Sequence, residues 1–175
     1  MRRGLDALYL GSGLLAGFFL VAIAVLSLMQ IGGRLLGFAA HSYDEFAGWC
    51  MAASSFLGLA YTLRAGEHIR MTLLLHHVRP RGRRVLEIAC LAAAVALSGF
   101  FAYWAADMTR FSWTTGDVSQ GLVPVPLWIP QSAMAAGLAV LVVALADDLV
   151  AALRGRAPSY DLAEAAKGGG AAFER

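Results

Sequence analysis

Charge is scarce in this 175-residue chain. Only 15% of its residues are Asp, Glu, Lys or Arg, against about 25% in ordinary soluble domains. Cysteine is nearly absent: Cys50 and Cys90 stand far apart inside apolar runs, with no CxxC. That spacing gives no support to a disulfide framework or a thiolate metal site, and both cysteines are expected to be small buried hydrophobes. The net charge of +2 is too small to argue for a nucleic-acid partner. Hydrophobic residues reach 59%, more than a body of this size can hide from water. The same fraction excludes disorder for most of the chain, because disorder needs low hydrophobicity and high net charge.

What is present is four uncharged runs: Ala7–Gly33, Phe46–Leu63, Ile88–Ala106 and Val118–Ala146, of 27, 18, 19 and 29 residues. About 20 helical residues cross a hydrocarbon core of about 30 Å. Backbone amides in lipid must be bonded internally, so the runs are read as helices. The expected class is an all-α integral membrane protein, with spans at about 7–31, 44–65, 84–107 and 127–150 in one domain of residues 1–157. The first run is about twice the length of a signal-peptide core and no A-x-A site follows, so it is read as an uncleaved anchor. Ser42-Tyr43-Asp44-Glu45 has the spacing of a capping box before the second helix. Gly66 is placed to terminate that helix. Pro126 and Pro130 suit the first turn of the fourth helix, or, for Pro130, a kink. Between helices two and three, Glu67–His77 mixes arginines with large aliphatics, as in a short helix lying among lipid headgroups. The stretch 158–175, with three consecutive glycines, is expected to be a disordered tail.

The basic residues are distributed unevenly. Twelve of the fourteen lie before the first run, between the second and third, or after the fourth; Arg34 and Arg110 are the other two. The positive-inside rule places both termini and the middle loop in the cytoplasm. Trp49, Trp104, Trp113 and Trp128 then fall at the outer ends, as an aromatic belt does.

Intramembrane ionisable groups and broken midplane helices mark solute and ion pathways. Neither is visible here. Glu87 follows Arg83 and Arg84 at pairing distance, Asp107 and Arg110 stand three apart, and Asp147 and Asp148 lie near the end of the fourth run. The histidines His41, His68, His76 and His77 all fall outside the runs, which argues against haem, and His76-His77 has no partner at metal-ligand spacing. No HExxH, GxSxG or phosphate-binding glycine loop occurs. The expectation is a non-enzyme with no cofactor and no metal. Small residues supply the remaining signal: Gly13 and Gly17 in the first helix, Gly48, Ala52, Ser54 and Gly58 in the second, and Ala89, Ala92, Ala93 and Ala96 in the third. That spacing allows close helix approach, either within the chain or against a partner.

Two stretches go beyond composition. One runs from Gly58 to Met71 and contains Arg64-Ala65-Gly66-Glu67-His68-Ile69-Arg70. The other joins Thr115-Gly116-Asp117-Val118-Ser119-Gln120-Gly121 to Val125-Pro126-Leu127-Trp128-Ile129-Pro130-Gln131. With four crossings at this length, the chain resembles the small, DctQ-type membrane subunit of tripartite ATP-independent periplasmic (TRAP) transporters over about residues 5–155. The resemblance implies a bacterial inner-membrane scaffold beside a large subunit that couples sodium entry to uptake of organic acids such as C4-dicarboxylates and sialic or other sugar acids. It also implies a periplasmic substrate-binding protein that delivers the solute. On that reading Arg64, Glu67, His68 and Arg70 organise one end of helix two, against the large subunit or phospholipid, beside the plainer reading as topology signals. Trp113, Gly116, Trp128, Pro130 and Gln131 shape the opposite mouth, beside the plainer reading as interfacial anchors. The alternatives are a membrane anchor of a redox enzyme and a self-sufficient small transporter.

Overall fold

The computed structural model describes residues 2–37, 42–65, 80–155 and 159. These form four helices: α1, Arg2–Leu35; α2, Tyr43–Arg64; α3, Pro80–Thr115; and α4, Trp128–Leu153. All four are long and apolar enough to span a membrane. The short helix expected between α2 and α3 and most of the tail expected beyond Pro158 lie outside the described residues. Glu67, His68 and Arg70 lie outside them as well.

The helix starts and stops follow from local chemistry, with one exception. Proline's missing N–H costs nothing in a first turn, and Pro130 sits there: Gln131 N–H donates to the Leu127 carbonyl at 3.3 Å. The kink is therefore excluded. The capping box does not form. Ser42 occupies the left-handed region (φ 72°) and makes no side-chain cap, and the Glu45 carboxylate lies against Gly121 of the loop between α3 and α4 rather than over the helix start.

The helices form an open row rather than a closed bundle. α1 packs on α2, α2 on α4, and α4 on α3, with α1 and α4 meeting only marginally. α1 and α3 are therefore the edges. Burial follows that order: 33% of the α4 span is buried but only 6% of the α1 span. The main core gathers Tyr9, Ala60, Leu63, Leu91, Ala144, Leu145 and Ala152, and a second cluster gathers Ala16, Ala53 and Leu57. On α3 the buried residues are Leu91, Ser98, Ala105 and Ser112, a seven-residue repeat of the kind that seats one helix along another. Ala89, Ala92, Ala93 and Ala96 fall on its exposed side. Cys90 is exposed and Cys50 is partly so, which corrects the expectation of buried thiols: both sit on faces that the other helices leave uncovered.

Candidate functional site

The end of the row at which α1 begins and α4 finishes, here the proximal end, carries a charge clamp. Asp6 lies on the first turns of α1, and Tyr9 follows it one turn on. Arg64 is the last residue of α2, where a cation complements the helix dipole. Its Nη2 donates to Asp6 Oδ1, and its Nη1 donates to Asp147 Oδ2 at 3.4 Å. The guanidinium carbon lies 4.7 Å from the centre of the Tyr9 ring. A planar fork bridges two carboxylates and stacks on an aromatic face together, which a lysine ammonium cannot do. One side chain thus ties three helices. Tyr9 is 2% exposed and its hydroxyl has no partner among the described residues. Nearby, Arg84 of α3 donates to the Ala152 carbonyl of α4 at 3.4 Å.

The distal end is built around the α3–α4 loop. Gly116 (φ 67°) reverses the chain after α3, and Asp117 N–H returns to the Ser112 carbonyl at 3.1 Å, a glycine-terminated helix stop. Asp117 then accepts from Leu127 N–H at 3.0 Å, and Ser119 N–H donates to Val125 at 2.8 Å. The buried Ser119 hydroxyl donates to the Val123 carbonyl and accepts from Val125 N–H, both at 3.3 Å. The Trp113 and Trp128 rings meet edge to face with centroids 4.6 Å apart. Trp113, Gly116, Trp128, Pro130 and Gln131 therefore belong to one ordered cap. The Gln131 amide oxygen is buried and without a partner among the described residues. Asp107 and Arg110, expected to pair, are both exposed and form no ion pair with each other.

Between the two ends, small residues set the seams. A Cβ at Gly13 would lie 2.8 Å from the Tyr61 ring, and one at Gly58 would lie 3.6 Å from Ala16. Ser54 Oγ donates across the same seam to the Ala16 carbonyl at 2.9 Å. Gly17 and Gly48 do not take part: nothing lies within 4 Å of a Cβ built on either, because both turn away from the neighbouring helix. The tightest helix-to-helix approach is one that the small-residue pattern did not single out. A Cβ at Gly137 would lie 2.5 Å from the Phe56 carbonyl carbon and 2.8 Å from Leu57 N, so α4 meets the α2 backbone there. Ala133, four residues earlier and packed on the Ala16–Ala53–Leu57 cluster, makes the pair a small-xxx-small motif visible in the sequence. The acidic partners of Arg64 carried no such signal, since their nearness depends on how three helices are ordered.

The two ends thus hold a structural clamp and an ordered cap, joined by apolar seams. Comparison with curated proteins and with solved structures finds no match. Residues 23–155 match the family described as tripartite ATP-independent periplasmic transporters, DctQ component. The matched stretch holds Arg64, Asp147, Gly137 and the whole distal cap, while Asp6 and Tyr9 precede it. With most of its length matched and four spanning helices, the chain belongs to the DctQ family, the small membrane subunits of TRAP transporters.

Proposed function

We propose that this subunit is a fixed scaffold for the large membrane subunit in sodium-coupled uptake of organic acids delivered by a periplasmic binding protein. Candidate solutes are C4-dicarboxylates and sialic or other sugar acids. Membership of the family supports a transporter component rather than an enzyme. The observation that carries the scaffold reading is the placement of charge. Every Asp, Glu, Lys and Arg of the four helices falls toward a helix end, and no histidine lies in any of them. A solute or ion pathway through the chain would need polar or ionisable groups at mid-depth. Arg64, which opens the family-like Arg64–Arg70 segment, is engaged within the chain, which supports a bracing role.

On this reading the exposed apolar faces of the edge helices are covered by lipid or by the large subunit. The cytoplasmic position of both termini rests on the positive-inside bias, and Arg70, Glu67 and His68 complete the cytoplasmic segment after the clamp. The test is co-purification: an affinity-tagged chain co-expressed with its large subunit should retain it stoichiometrically in mild detergent. The Arg64→Ala/Arg70→Ala variant should lower the yield of complex while leaving solute affinity unchanged. A shifted solute affinity at unchanged complex yield would contradict the proposal.

A further inference from the structure

Asp148 stands apart from the clamp beside it. It is 1% exposed and is the largest fully buried side chain of the described residues. A carboxylate so placed is costly unless donors are brought to it. Its Oδ1 accepts from Ser159 N–H at 2.9 Å and its Oδ2 from Ser159 Oγ–H at 2.8 Å. Both oxygens are thus held by one residue eleven positions further along. Gly155 (φ 72°) reverses the chain after α4, and Gly155 N–H closes on the Ala152 carbonyl at 3.1 Å. The adjacent carboxylates divide their tasks: Asp147 goes to Arg64, and Asp148 goes to the segment that follows the helix. Nothing in the scaffold reading requires Asp148.

We propose that Asp148 and Ser159 form a latch that fastens Ser159 against the last turns of α4. With Ser159 withdrawn, Asp148 loses both of the donors it has among the described residues, and a carboxylate left without donors away from water is costly.

Hydrogen exchange on the full chain in lipid nanodiscs tests the latch without mutation. The Ser159 amide should exchange at least about tenfold more slowly than in an unstructured peptide, and exchange at the peptide rate would overturn the proposal. Trypsin digestion at Arg154 and Arg156 gives the second reading. Wild type and Ser159→Thr, which keeps both donors, should be cut slowly. Ser159→Ala should be cut faster, and Ser159→Asp, which sets a carboxylate against Asp148, faster still, by about tenfold over wild type. Equal rates for wild type and Ser159→Asp would overturn the latch.

Discussion

Arg64 carries more of the architecture than any other single side chain, because it serves Asp6, Asp147 and the Tyr9 ring at once. Its side chain is 24% exposed, so the ion pairs lie between the weak surface limit and the costly buried one. Arg64→Ala is expected to destabilise the subunit by about 1–3 kcal/mol, since two carboxylates then lose their cation. Arg64→Lys should recover only part of that, because an ammonium is a point charge rather than a fork. Thermal unfolding in detergent measures both, and an Arg64→Lys protein as stable as wild type would contradict the bridging geometry. The sequence marked Arg64 through its setting at the end of an apolar run. It did not mark Asp6 or Asp147 as partners, since they are 58 and 83 positions away and only the order of helices brings them together. Ser42 and Glu45 show the converse failure. Their spacing suits a cap, but Ser42 takes a left-handed backbone and the Glu45 carboxylate lies against a loop more than 70 residues downstream, which no local rule contains.

At the scale of elements, number and type were legible because four uncharged runs long enough to span a bilayer leave few alternatives. Lengths were less so. α1 has 34 residues and α3 has 36, about 51 and 54 Å at 1.5 Å per residue, well beyond the spans expected from their uncharged stretches. Charged residues near a helix end do not stop a helix; they only mark where lipid gives way to headgroups. Helices this long must tilt or project beyond a core of about 30 Å. The seams were half legible. Glycine and alanine spacing pointed to α1 and α2, but spacing alone cannot say which small residue faces a neighbour. Gly137 and Gly17 make the contrast testable. Gly137→Ala should cost about 1–3 kcal/mol, because the added methyl meets the α2 backbone and neither helix can yield cheaply. Gly17→Ala, facing open space, should leave stability unchanged or slightly raised. Melting temperatures of the two variants in the same detergent decide it, and equal losses would contradict the seam.

At the scale of the molecule, an open row of four apolar helices is incomplete as a body. α1 and α3 present Leu14, Phe18, Leu28, Phe100, Phe101 and Trp104 more than half exposed, and in a membrane such faces meet lipid or another protein. The start of α1 and the end of α4 share one side, since Arg64 joins them. Which side that is follows from charge alone: a cysteine at Thr72 should resist an impermeant reagent applied outside intact cells, and ready labelling would reverse the orientation. The central claim is that the chain braces a transporter and conducts nothing itself. Uptake into proteoliposomes under a sodium gradient tests it most directly. Solute should accumulate when this subunit, the large subunit and the binding protein are combined, and should fall to background with this subunit alone. Sodium-driven accumulation by this subunit in isolation would contradict the account.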